Sequence, residues 1–146
     1  CYYYLGEASK SCDLLEKILV AKPSHIDAGI LLGQMYFRRK EWQSLADCYD
    51  RLKEFIVSDD KKNIIRVYGA LGLAYFNLKK FNEAISALSK GLKANPRDLS
   101  SQYHLALCYY SIGDAEKARQ ILEALRKTLP PDSQVLKNVL ELLQRM

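Results

Sequence analysis

Residues 71–85 read Leu71-Gly72-Leu73-Ala74-Tyr75-Phe76-Asn77-Leu78-Lys79-Lys80-Phe81-Asn82-Glu83-Ala84-Ile85, and this stretch decides the fold. Leu71, Ala74, Tyr75 and Leu78 recur three and four residues apart, the spacing that lines up apolar side chains on one face of a helix. Lys79-Lys80 interrupts the pattern, and Ala84, Ile85, Leu88 and Leu92 resume it as far as Asn95-Pro96. Proline disfavours helix in the residue before it, so the second run stops there. The stretch predicts two amphipathic helices joined by a tight turn.

The same arrangement recurs along the chain. Tyr75 and Tyr109, Ala84 and Ala118, and Pro96 and Pro130 are each 34 residues apart, as are Tyr2 and Tyr36. Between the second and third copies the interval is 39, from Gly33 to Gly72, Tyr36 to Tyr75 and Trp42 to Phe81. One insertion of five residues accounts for every pair, and self-similarity at such a period marks a repeat architecture. The Lys79-Lys80 turn aligns with Gly113-Asp114 in the last copy and Gly6-Glu7 in the first, so a helix break is expected at each. Glycine suits the left-handed residue that ends a helix before a tight turn. Small residues at Gly33, Gly72 and Ala106 let the two helices of a unit approach closely, with Tyr36, Tyr75 and Tyr109 filling the space beside them.

These residues resemble the tetratricopeptide repeat family. Leu71-Gly72, Ala74-Tyr75, Phe81, Ala84 and Pro96 fit its signature in the third unit, and Tyr109, Gly113, Ala118 and Pro130 do so in the fourth. The second unit keeps Leu32-Gly33, Tyr36 and Trp42, but has Leu45 where a small residue is usual and Val57 where proline is usual. With the Ser58-Asp59-Asp60-Lys61-Lys62 insertion, that predicts a longer second helix and a shifted junction. The resemblance covers residues 1–132. It implies an all-α fold, a right-handed α-solenoid of antiparallel helix pairs forming a superhelix with a concave inner face. The units run 1–25 (truncated), 26–64, 65–98 and 99–132. Residues 133–146 are read as a C-terminal capping helix with Val135, Leu136, Val139, Leu140 and Leu143 on one face. The truncated first unit is expected to expose apolar surface.

Composition agrees with one helical domain. The chain has 146 residues, 49% of them hydrophobic, and 22 Lys+Arg against 17 Asp+Glu give a net charge of +5. That excludes a disordered tail, and no apolar run reaches the ~20 residues of a membrane span. Cys1, Cys12, Cys48 and Cys108 form no CxxC pair and no Cys/His cluster, so zinc spacing is absent. They read as reduced, buried thiols, which favours a reducing intracellular compartment such as cytoplasm or nucleus. Starting at Cys1 rather than Met, the sequence reads as a piece of a longer protein. The alignment of Cys1 with Cys108 places it mid-helix and argues against a lipidated terminus.

Catalytic chemistry finds no foothold. The two histidines, His25 and His104, lie far apart in the repeat alignment. His25 reads as a solvated linker residue, and His104 sits toward the groove on the first helix of the fourth unit. Phosphate-loop and dinucleotide glycine fingerprints are absent. No nucleophile–base pair can be nominated, so the chain reads as a non-enzyme without metal or cofactor.

The family resemblance implies that the first helix of each unit lines the groove. That face comprises Ile30, Gln34, Phe37, Arg38, Arg66, Leu73, Phe76, Asn77, Tyr103, Leu107 and Tyr110. The chaperone-tail subclass clasps a terminal carboxylate with Lys and Asn on adjacent turns. Here those places hold Ile30 and Gln34, Gly69 and Leu73, or Tyr103 and Leu107. Only Arg66 retains a matching cation, and Ala70 stands where its partner belongs, so the clamp is rejected. An apolar, aromatic lining suits an amphipathic helix or an apolar-anchored peptide of a partner protein. The alternative is a structural fragment of a larger multi-subunit scaffold, or a self-associating repeat protein. Arg38, Arg39 and Lys40, with Lys79 and Lys80 one unit on, are expected to align as a short basic ridge, bounded by Glu41, Glu7 and Asp114. That track is too short for nucleic acid, which needs a longer one interleaved with exposed aromatics.

Overall fold

Every helix of this chain turns back on its predecessor. The computed structural model describes residues 2–146, with side chains from Gly6 onward. Expectations resting on Cys1 and on the Tyr2 side chain lie outside the described residues. The helices are α1 (Tyr2–Ala21), α2 (Ile26–Arg38), α3 (Trp42–Leu52), α4 (Lys61–Asn77), α5 (Phe81–Ala94), α6 (Leu99–Ser111), α7 (Ala115–Thr128) and α8 (Gln134–Arg145). Each packs on the next, and in addition α2 touches α4 and α4 touches α6. The second helices α3, α5 and α7 make no comparable contact with one another. The first helices therefore form the tighter layer of an all-α solenoid, and the second helices the outer one.

The turns within units share one geometry. Glu41 donates its amide to the Tyr36 carbonyl at 3.0 Å while Lys40 donates to Phe37 at 3.0 Å. Lys80 to Tyr75 and Lys79 to Phe76 repeat this at 2.9 and 3.0 Å, and Asp114 to Tyr109 and Gly113 to Tyr110 at 2.9 and 3.1 Å. This paired closure requires a left-handed residue just past the helix. Lys40 (φ 57°), Lys79 (φ 60°) and Gly113 (φ 89°) supply it. Only the third has the residue type for which that conformation is free of steric cost.

The two helices of a unit meet at glycine. A Cβ on Gly33 would overlap the Tyr49 ring, and one on Gly72 would overlap the Leu88 side chain. Ala106 is fully buried at the equivalent place, beside Leu122 and Leu125. Val139 of α8 is buried in that same cluster, so the last helix covers the end of the fourth unit as expected. Tyrosines link neighbouring units. The Tyr36 hydroxyl donates to Glu16 of α1 at 2.6 Å, and the equivalent Tyr75 donates to Asp50 of α3 at 3.3 Å. Burial, reinforced by the adjacent carboxylates, pushes both phenols upward.

Three expectations are corrected. α1 runs unbroken through Gly6-Glu7. The helix continues past Gly6, where an added Cβ would meet no neighbouring atom. The second unit's outer helix is shortened rather than lengthened. α3 ends at Leu52, its last turn tightens to a 3₁₀ turn at Lys53–Phe55, and Ile56 is extended. Leu52 is the last fully buried side chain of this segment; Ile56 still packs on the core, while Phe55 and Val57 are 41% and 66% exposed. Only Lys61 and Lys62 of the insertion extend α4, because Asp60 accepts the Asn63 amide at 3.2 Å and its side-chain N–H at 2.6 Å, which starts a helix at Lys61. Finally, His25 is not a bare linker residue. Its Nδ1 accepts the Ala28 amide at 3.2 Å and caps α2, as Asp60, Asp98 and Asp114 cap α4, α6 and α7.

Candidate functional site: the face of the first helices

Spacing along α4 sets the register of this face. Lys62, Arg66, Leu73 and Asn77 are four, seven and four residues apart, hence on one side of a 3.6-residue helix. Leu73 and Phe76 are half-buried, and Arg66 and Asn77 are exposed. On α6, Tyr103 and Leu107 are half-buried and Tyr110 is exposed. On α2, Gln34, Phe37 and Arg38 are all exposed. Ile30 does not belong to the set, because it is buried in the core with Leu45, Tyr49, Leu52 and Val67. Tyr49 also donates its hydroxyl to the Ile30 carbonyl at 3.0 Å. Its neighbour Leu31, 49% exposed, was missed by the sequence reading.

Aromatic edges connect these residues across helices. Phe76 meets His104 at 5.3 Å between ring centroids, and His104 meets Tyr103 at 5.8 Å. Phe76 also packs against Phe81 at 6.0 Å, as the equivalent Phe37 does against Trp42 at 5.5 Å. The structure thus brings Phe76, His104 and Tyr103 together, while Phe37 and Gln34 stand apart on α2. His104 is ordered twice over, since its Nδ1 lies 2.8 Å from the Ser100 carbonyl. Asn77 turns its amide back to the Leu73 carbonyl at 2.8 Å, as Ser111 does to Leu107 at 2.8 Å.

The charged residues fall at the rims. Lys40, Lys79 and Lys80 are exposed in the turns that end α2 and α4, both at the same end of their helix pairs. Arg39 leans toward Glu41 at 3.9 Å, which diverts one cation from the ridge. On the opposite, outer side, a second concavity of about 550 Å³ opens over α2 between α1 and α3. It is lined by Leu19, Val20, Leu32 and Leu52 with Glu16 and Arg51. Leu14 and Val20 of α1 are 60% and 85% exposed. Among the described residues no group of three or more His, Cys, Asp or Glu could hold a metal, and no helix is long and apolar enough to cross a membrane.

Paired helices, glycine contacts and left-handed turns at a fixed period are joined by a match to a family model. A model described as Tetratricopeptide repeat covers residues 75–142. That match, over less than half of the chain, supports assignment to the tetratricopeptide repeat family. The human Intraflagellar transport protein 88 homolog is 23% identical over 112 residues, which are 75% of this chain and 14% of that protein. Lipopolysaccharide assembly protein B of Escherichia coli K12 is 23% identical over 143 residues, 98% of this chain and 36% of that one. The chain therefore spans about a seventh and about a third of these two relatives. Among solved structures, a MamA structure superposes with a TM-score of 0.76 at 22% identity, covering 94% of this chain and 73% of its own. The Hsp90 co-chaperone Cns1 from Saccharomyces cerevisiae gives 0.74 at 18% identity, covering 82% and 38%. These likenesses bear on the fold, and the repeat fold is that of a protein–protein interaction module.

Proposed function

We propose that the face of α2, α4 and α6 binds a peptide or helix of a partner protein, without catalysis. The observation that carries the reading is the half-buried apolar strip of Leu73, Phe76, Tyr103 and Leu107, held in place by the Phe76–His104–Tyr103 edge contacts. Partly exposed aromatics pre-ordered by their neighbours are what a binding surface uses as anchors. The likeness to Cns1 does not extend to a terminal-carboxylate clamp on this reading. Gly69 and Leu73 stand where such a clamp needs Lys and Asn, and Asn77 is bonded to its own helix.

Affinity capture from lysate with wild type, Leu73→Glu and Phe76→Ala tests this, after circular dichroism has established that each variant is folded. Specific proteins held by wild type and lost by both variants support the reading. An unchanged set removes it. A second reading, a piece of a self-associating scaffold, is favoured by Leu14 and Val20 standing exposed on α1. Sedimentation of wild type against Leu14→Lys, Val20→Lys separates the two, because only the scaffold reading expects an assembly that the pair dissolves.

A further inference from the structure

The carboxylates of the paired helices α2 to α7 are sorted by layer, whereas lysines and arginines stand in both layers. The three inner helices α2, α4 and α6 carry Arg38, Lys61, Lys62 and Arg66 against one carboxylate, Asp27. The carboxylates that begin α4 and α6 are already engaged, Asp60 by Asn63 and Asp98 by the Ser101 amide and hydroxyl. Asp47, Asp50, Glu83, Glu116 and Glu123 all lie on the outer helices α3, α5 and α7. Among the described residues, Arg38, Lys62 and Arg66 enter no ion pair.

The cations also have an order along the helices. Lys62 and Arg66 lie toward the start of α4, the apolar Leu73 and Phe76 follow, and Arg38, Lys40, Lys79 and Lys80 lie at or beyond the helix ends. Arg66 and Leu73 are seven residues apart, about 10 Å of helix at 1.5 Å per residue. About three residues of extended chain span that length.

Building on the peptide-binding reading, we propose that the partner segment is acidic: an aliphatic or aromatic anchor on Leu73 and Phe76, flanked on both sides by carboxylate side chains. Carboxylates on one flank meet Arg66 and Lys62, and those on the other meet Arg38 and the lysines of the turns. Internal side chains supply the charge, so a free C-terminus is not required. Such rim pairing directs partner choice and speeds association more than it deepens affinity.

A dodecamer random peptide display library, panned on the protein at low and at physiological salt, tests the proposal. Enrichment of Asp and Glu on both sides of a Leu, Phe or Trp is the expected result. The enriched peptide, synthesised with an amidated C-terminus, should bind as tightly as its free-acid form. Its Asn/Gln counterpart should bind roughly tenfold more weakly. Lys62→Glu, Arg66→Glu should lose a similar factor, whereas Lys90→Gln, Lys93→Gln on the outer helix α5 should lose none. Neutral or basic enriched sequences, or equal loss in the α5 variant, overturn the proposal while leaving the groove reading intact. Displacement of the peptide by single-stranded oligothymidine at equimolar concentration overturns it in favour of nucleic acid. Enrichment that survives Leu73→Glu instead defeats the groove reading beneath it.

Discussion

The second and third repeats are built to one plan with different parts. In the third, Gly72 admits Leu88, and in the second Gly33 admits the larger Tyr49 at the equivalent position. The third has Ala87, buried, where the second has Cys48. The third starts its first helix on an aspartate cap, and the second starts on His25. A repeat fold therefore fixes the distance between its helices less rigidly than its periodicity implies. One glycine thus accepts either a tyrosine or a leucine across the helix pair.

The largest effect should come from disturbing that pairing. The Tyr49 ring fills the space over Gly33, is 2% exposed, and is held by its hydrogen bond to Ile30. It cannot retreat from a new methyl without breaking that bond. Gly33→Ala is expected to cost about 3 kcal/mol, read from urea unfolding, since overpacking and an orphaned hydroxyl add. Combining it with Tyr49→Leu, which recreates the third repeat's side chain, should recover part of the loss. A strictly additive double mutant would show that the two positions are not coupled, and would break the comparison.

The thiol difference predicts a pH effect. Burial pushes Cys48 up from 9.0 to about 11, against a lowering influence of Arg51. The fold thus favours the neutral thiol. Its contribution is complete below the unfolded value and is lost as pH rises from about 9 toward 11, by up to about 2 kcal/mol. Cys48→Ala, which installs the third repeat's residue, should flatten that limb of the stability profile. Cys108, likewise pushed up to about 11 by burial, should leave a residual slope.

Caps come next. His25 offers one neutral nitrogen to the Ala28 amide, where Asp60 offers a charged oxygen to Asn63 at the same 3.2 Å. A carboxylate also suits the positive end of a helix. His25→Asp should therefore raise stability by about 1 kcal/mol in thermal unfolding.

The periodicity made the helix pairs, the glycine contacts and the end cap legible, because each depends on spacing alone. It failed at two places. Gly6-Glu7 matches the turn motif, yet α1 passes through it unbroken. Val57 and the insertion pointed to a longer α3, and the Asp60 cap instead started α4 at Lys61, taking in only the last two residues of the insertion. The site was legible as a face but not at its edge. Ile30 and Leu31 differ by one residue, about 100° of helix, and the packing of α2 on α3 and α4 decides which is buried. Nothing in the spacing announced that His104 would wedge between Phe76 and Tyr103, or that the carboxylates would sort to the outer layer.

The smallest prediction concerns the turns, where the fourth repeat rather than the third sets the standard. Lys40, Lys79 and Gly113 close identical hydrogen-bonded turns, yet only the glycine meets no Cβ clash at positive φ. Lysine in that conformation costs about 1 kcal/mol, partly offset because glycine gives the unfolded chain more freedom to lose. Lys79→Gly should therefore stabilise by about 0.5 kcal/mol, and Gly113→Lys should destabilise by a similar or larger amount. If Lys79→Gly is instead destabilising, the lysine stem contributes packing that outweighs its backbone strain. Because Lys79 also stands on the proposed acid-binding rim, the same variant should weaken acidic-peptide binding while it steadies the fold. On the acidic-peptide proposal, the charge of Lys79 serves the rim at the expense of the turn.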